Sequence, residues 1–263
     1  MEQTKEYAAL LARLADLAGR AERGELALGP FLSPREGYLA SQHLTAGSIP
    51  YRTFGGYDDA ERCRLYLLPS YMEAEEDVPL LSLLEDFGYE SRIACLRVTG
   101  SGYARLDHRS YLGSLLGLGL ERHVIGDILV TDKGDATVFC DEAIIPFLLQ
   151  EWHKVGNDTV KVAQIPLAEA VVPERRFSPI HDTLASPRLD GVVAALCRLS
   201  RDRAKAVVES GLVELNFERE ERPDRTVLEG SILSVRGYGR YRILSVSEQT
   251  KKGRFRLEAQ KYL

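Results

Sequence analysis

The chain has 263 residues, 44% hydrophobic and 28% charged, an ordinary globular composition that can bury a sizeable core and excludes large-scale disorder. No run of about 18 apolar residues occurs, and the first helix-like run is charged every few positions, so the expectation is a cytoplasmic protein with neither signal peptide nor membrane span. The net charge of -5 hides an asymmetry: residues 184–263 hold 16 Lys and Arg against 11 Asp and Glu, while residues 1–183 hold 18 against 28. An acidic body with a basic end points to an anionic partner met at that end. Cys63, Cys95, Cys140 and Cys197 are dispersed among apolar neighbours, and no histidine lies within four residues of one. Buried reduced thiols are expected, with no metal and no cofactor.

Residues 3–23 place Tyr7, Leu10, Leu11, Leu14 and Leu17 at helical spacing. Pro30 and Pro34 interrupt the chain, and REGYLASQHLTAG resumes a helix that stops at Gly47. YRTFGGY and RCRLYLLP read as strands, and SYMEAEEDVP as an acidic loop. From Tyr89 onward the order is regular. SRIACLRVTG is a strand, LDHRSYLGSLLGLG a helix capped by Asp107, GDILVTD and ATVFCD a hairpin, EAIIPFLLQEWHKVG a helix and TVKVAQIPL a strand. This is the βαββαβ ferredoxin-like arrangement, shared by RNA-recognition modules and by many domains that bind no RNA. Base-stacking modules carry exposed strand aromatics. Here the strands offer only Phe139, in a run that reads as buried.

Pro173, Pro179 and Pro187 mark a linker. Ser186 then caps a helix with Pro187 at its first position, burying Leu189, Val192, Val193 and Leu196. Ser200 caps a second helix that ends at Gly211, with Arg201 and Lys205 on its outer face. LVELNF alternates as a strand with Val213, Leu215 and Phe217 on one side; SILSVRG and RYRILSV flank the turn GYG, and FRLEAQKY closes the sheet. Helix starts offer N–H groups and partial positive charge to phosphate. Gly237 and Gly239 allow close approach of a phosphate backbone, Arg236, Arg240 and Arg242 make forked contacts, and Tyr238 stacks on a base or ribose. The expected class is α+β: an N-terminal α/β region (1–78), a ferredoxin-like domain (79–172) and a basic module (184–263).

RLD, then LSR with a following Lys, then G-x-V-x-L-N and a late V-x-x-G together resemble the alpha-L RNA-binding motif, or S4 domain. The resemblance implies binding to structured ribosomal or transfer RNA. It assigns contacts to Arg188 and Asp190 at the first helix, to Ser200, Arg201, Arg203 and Lys205 at the second, and to Asn216 on the strand. Arg236, Tyr238, Gly239 and Arg240 of the hairpin, with Lys251, Lys252 and Arg254 of TKKGR, complete the expected surface. The family's Asn-Gly turn is Asn216-Phe217 here, and its Gly-Asp is Gly230-Ser231. Along its whole length the chain resembles the YlmH family, through FLSPRE, LDHRSYLGSLLGLGLERHVIGDI, SVRGYGRYR and TKKGR. That resemblance implies binding to the large ribosomal subunit with peptidyl-tRNA, in rescue of stalled translation; the expected oligomeric state is a monomer.

Two other function classes compete. A pseudouridine synthase with an S4 domain would use Asp190 as its catalytic aspartate, but only 73 residues follow it. A methyltransferase needs a glycine-rich cofactor loop after a strand, and GSGYAR and GLGLER are incomplete. A protein scaffold using the acidic body is the non-enzymatic rival. The expectation is a binding protein without catalytic chemistry.

Overall fold

Leu10, Leu14 and Leu17 recur about one turn apart, and the helix they define is α1 (Glu2–Glu22), which buries all three. The computed structural model describes residues 2–72, 78–103, 105–249 and 253–263. After α1 comes β1 (Ala27–Leu32), where the sequence suggested only a proline break. Pro30 is tolerated because β1 is an edge strand whose register shifts between Leu28 and Phe31. Helix α2 (Pro34–Ala46) starts with a capping box: Ser33 Oγ accepts from Glu36 N at 3.3 Å, and Ser33 N donates back to Glu36 Oε2 at 2.8 Å. Strands β2 (Tyr51–Phe54) and β3 (Cys63–Leu67) complete a three-stranded antiparallel sheet of order β1-β3-β2. Helix α3 (Leu80–Asp86) buries Leu80, Leu83 and Leu84. Residues 73–77 of the acidic connector lie outside the described residues.

The expected βαββαβ order follows: β4 (Ile93–Thr99), α4 (His108–Gly117), β5 (Ile125–Val130), β6 (Ala136–Asp141), α5 (Ile145–Glu151), a small ladder of β7 (Lys154–Val155) and β8 (Asp158–Thr159), and β9 (Lys161–Ile165). The antiparallel sheet runs β5-β6-β4-β9. Asp107 caps α4 by accepting from Ser110 N at 2.8 Å. Helix α5 is shorter than the sequence suggested. The chain leaves it at Trp152, which buries its ring edge-on to Tyr111 and donates from Nε1 to Ser114 Oγ at 2.9 Å.

The helix-free face of this sheet is where RNA-recognition modules stack bases. In this chain half of it is covered. Phe31 of β1 packs against Ile93, Cys95, Phe139 and Ile165, and Phe139 is fully buried. Buried arginines tie the same two regions together. Arg62 donates from Nε to Ile125 O and from Nη2 to Arg122 O, both at 2.9 Å. Asp127 accepts from Tyr57 Oη at 2.8 Å and from Glu61 N at 2.7 Å. Arg64 Nη1 meets Asp141 Oδ2 at 3.0 Å. Burial lowers the Arg62 pKa to about 10, with nearby Arg122 adding to the effect, so the guanidinium still stays charged at neutral pH. Residues Met1–Pro173 form one compact unit and Glu174–Leu263 a second.

The second unit begins with β10 (Phe177–Leu184), which the prolines had suggested was linker. It pairs over its full length with the last strand, and Pro179 is accommodated because β10 is an edge. Helices α6 (Leu189–Cys197) and α7 (Arg201–Glu209) form a tight hairpin. Then β11 (Val213–Leu215), β12 (Glu218–Arg219), β13 (Ile232–Val235), β14 (Gly239–Gln249) and β15 (Phe255–Tyr262) build an antiparallel sheet of order β10-β15-β14-β13-β11-β12. One face packs Leu233, Val235, Tyr241, Ile243, Leu257 and Ala259 against the helices. Phe217 does not continue the β11 alternation. Asn216 and Phe217 take φ of 51° and 67°, the two left-handed residues of a tight hairpin turn into β12. The turn therefore keeps the geometry of an Asn-Gly pair with phenylalanine in glycine's place. Asn216 Oδ1 secures it by accepting from Ile232 N at 2.9 Å.

Candidate nucleic-acid interface

Helix α6 starts two residues later than the Ser186 cap predicted, with Arg188 in the N-cap position. Val227 N donates to Pro187 O at 2.8 Å, which holds Pro187 against the loop that follows β12 instead of inside the helix. The same loop closes the helix start. Leu189 N donates to Arg225 O at 2.8 Å, Asp190 N to Pro223 O at 3.0 Å, and Gly191 N to Asp190 Oδ1 at 2.8 Å. The first three N–H groups of α6 are thus engaged within the protein, which corrects the expectation that this helix start presents them to phosphate.

In place of bare N–H groups, the site offers arginine side chains braced from below. Asp190 is buried at 5% exposure, so its placement is that of a support beneath the surface. Its carboxylate accepts from Arg201 Nη2 at 3.2 Å and from Arg188 Nε at 3.4 Å, and both arginine side chains remain about half exposed. Burial alone would raise the Asp190 pKa. The hydrogen bonds from Arg201 and Arg188, the Arg201 charge and the Gly191 N–H outweigh it and hold the carboxyl below its ordinary value. A second carboxylate, Glu220, repeats the device with Arg222 Nε at 3.5 Å and Arg225 Nε at 3.7 Å. Glu220 is itself shielded at 19% exposure, while its two arginines are more than half exposed. Because Arg225 O and Pro223 O bond the first residues of α6 and Thr226 bridges Arg188, the two braced pairs adjoin. The four guanidinium groups remain about half exposed or more above these two carboxylates, and their donors suit phosphate. The sequence reading missed Arg222 and Arg225, because ERPDR alternates in sign and reads as a neutral loop.

The other expected contacts fall into three groups. Ser200 caps α7 by accepting from Arg203 N at 3.4 Å, and the Arg203 side chain is exposed. Lys205 is exposed beside Glu209, with 3.7 Å between their charges. The hairpin lies at the other end of α7, about 13 Å along the helix from Arg201, because Arg236 N donates to Leu212 O at 2.9 Å just beyond the helix terminus. There a shallow groove of about 630 Å³ is lined by Leu212, Glu214, Ser234, Arg236, Tyr238 and Gly239. Gly239, at φ 131°, sits so close to Lys261 that an added Cβ would approach its Cε to 2.8 Å. Arg236 is exposed, whereas Tyr238 is half-buried against the core. Arg240 is held between the rings of Phe217 and Tyr262, 5.3 and 5.2 Å from their centres. Arg254 donates to Thr183 O at 2.7 Å and is exposed. Lys251 and Lys252 lie outside the described residues.

Within the first unit, the uncovered half of the ferredoxin-like sheet presents Arg97, Thr99, Lys161 and Ala163, and no aromatic among the described residues there. Phosphate contact suits that face better than base stacking. Among the described residues no group of three His, Cys, Asp or Glu is placed to hold a metal ion. Burial pushes the Cys95 thiol up to about 11, as expected of an inert core cysteine. No helix among the described residues is long and apolar enough to cross a membrane.

Comparison with known proteins bears on the whole chain. The family model described as the putative RNA-binding domain in YlmH matches residues 89–169, the ferredoxin-like region. The ribosome-associated protein quality control protein P2 of Bacillus subtilis (strain 168) is 33% identical over 237 residues, covering 90% of this chain and 87% of that protein. The solved structure of cell division protein ylmH from Streptococcus pneumoniae covers 64% of this chain and 95% of its own, with a TM-score of 0.51 at 21% identity, a likeness of fold. With a third of its residues shared along nine-tenths of its length, the chain belongs to the YlmH family.

Proposed function

We propose that this protein is a ribosome-associated RNA-binding protein, and that the Glu174–Leu263 unit is an S4-like module gripping structured RNA through phosphates. The observation that carries the reading is the pair of shielded carboxylates, Asp190 at the start of α6 and Glu220 in the loop that closes it, each holding two arginines about half exposed or more. Pre-bracing lowers the conformational entropy lost when a guanidinium meets a phosphate. The name of the Bacillus subtilis relative supports the ribosome as the setting, and the family match supports a further RNA contact by residues 89–169. The finer reading is a cytoplasmic monomer that binds ribosomal or transfer RNA on the large ribosomal subunit carrying peptidyl-tRNA, in rescue of stalled translation. It works by binding alone. Asp190, the residue a pseudouridine synthase would need open to substrate, is buried with both carboxylate oxygens occupied by arginine and backbone donors.

The test is sedimentation of the tagged protein from cells, with sequencing of the RNA that accompanies it. Enrichment of large subunits holding tRNA is the expected result. Recovery of small subunits or free mRNA alone would overturn the choice of partner, and a site-specific pseudouridine lost on Asp190→Ala would overturn the non-catalytic reading.

A further inference from the structure

Residues 65–91 contain seven Asp and Glu and no Lys or Arg. Within this stretch three aromatic side chains stand together in solvent: Tyr71 at 50%, Phe87 at 42% and Tyr89 at 37% exposure. The Tyr71 and Phe87 rings lie 5.7 Å apart, and the Tyr71 and Tyr89 hydroxyls meet at 3.1 Å. Tyr71 Oη donates to Gly24 O at 3.1 Å, so its oxygen accepts from Tyr89. The end of α3 fixes the other two rings. Gly88, at φ 72°, turns the chain, Gly88 N donates to Glu85 O at 3.0 Å, and Tyr89 N to Leu84 O at 2.8 Å. The cluster is thus already assembled, and Glu85, Asp86 and Glu90, each within two residues of Phe87 or Tyr89, are exposed.

We propose that the Tyr71–Phe87–Tyr89 surface docks an arginine- or lysine-rich segment of a partner protein. Ring faces attract guanidinium and ammonium groups, and the neighbouring carboxylates supply the complementary charge. The same carboxylates repel RNA phosphates, so this face is suited to a protein while the second unit is suited to RNA. Sets of grouped exposed aromatics are common at protein interfaces and uncommon on free surfaces.

The test uses the full chain and a fluorescent 12-residue peptide alternating Arg, Gly and Leu, followed by anisotropy at moderate salt. Glu85→Lys with Asp86→Lys is expected to weaken binding at least tenfold, and Phe87→Ser with Tyr89→Ser about fivefold. The control Asp132→Lys with Glu151→Lys makes the same change of net charge elsewhere on the first unit and is expected to cost less than twofold. Circular dichroism checks that each variant is folded, and the charge pair supplies the answer if the aromatic pair fails to fold. Equal losses in the control and the Glu85/Asp86 variant would show only non-specific attraction and overturn the proposal. So would a dimer in sedimentation that the aromatic variant abolishes, or RNA affinity that falls with either patch variant.

Discussion

Asp190→Asn separates bracing from simple charge. The substitution keeps an oxygen for the Gly191 N–H but removes the negative charge that Arg201 and Arg188 share. Charge alone predicts tighter RNA binding, since a like charge has left the phosphate site. At roughly 10 Å in water that gain is about 0.4 kcal/mol. Bracing predicts the opposite. Two arginine side chains regain freedom that must be lost again on binding, at about 0.5–1.5 kcal/mol each. The bracing effect is larger, so the net expectation is weaker binding by about 1–2 kcal/mol, or five- to thirtyfold in Kd. Stability should fall as well. Each arginine is about half exposed, so its ion pair counts on the surface scale of about 0–1 kcal/mol, a total of no more than about 2 kcal/mol. The sole tryptophan, Trp152, is buried in the first unit. The variant should therefore lower the second unit's thermal transition, read by far-UV circular dichroism, while leaving the Trp fluorescence midpoint in place. Titration of labelled ribosomal RNA fragments reads the binding. Unchanged or tighter binding by Asp190→Asn would refute the bracing argument.

Acid should act on the same contact: a carboxyl whose folded pKa is depressed stabilises above its unfolded value near 3.9 and loses that contribution as pH falls through the folded value, so the wild-type second unit should become more fragile below about pH 4 and Asp190→Asn should lack this component. Arg62→Met removes the buried, charge-assisted bonds to Ile125 O and Arg122 O, and should cost about 2–3 kcal/mol, read as a lowered Trp fluorescence midpoint. Asn216→Ala loses the bond to Ile232 N at a left-handed position and should destabilise the second unit by about 1–2 kcal/mol in chemical denaturation.

The elements with a local cause were legible in the sequence. The leucine stripe marked α1, Asp107 marked the start of α4, and alternation with turn residues gave the βαββαβ order. Errors came where tertiary partners overrode local rules. Pro30 and Pro179 read as breaks, yet both lie in edge strands, where a missing N–H is tolerated. Ser186 and Pro187 read as a helix start, but Pro187 O is taken by Val227 N from a loop forty residues on. At the site, the basic end and Arg188, Arg201 and Arg203 were legible as exposed positive charge. Asp190 as a buried brace was not, because its burial depends on residues 223–226 closing over α6. Arg222 and Arg225 escaped for the same reason: only folding gathers both around the shielded Glu220 carboxylate, with their side chains more than half exposed beside the strand bridge to Arg188.

The most direct measurement is the salt dependence of RNA affinity for the wild type and for Arg188→Gln with Arg222→Gln and Arg225→Gln. Each lost phosphate contact reduces the slope of log K against log salt by about 0.7–0.9. Three braced arginines facing phosphates predict a triple variant with weaker binding and a slope shallower by about 2–3. An unchanged slope, with the variant folded, would show that phosphates are met elsewhere and contradict the account.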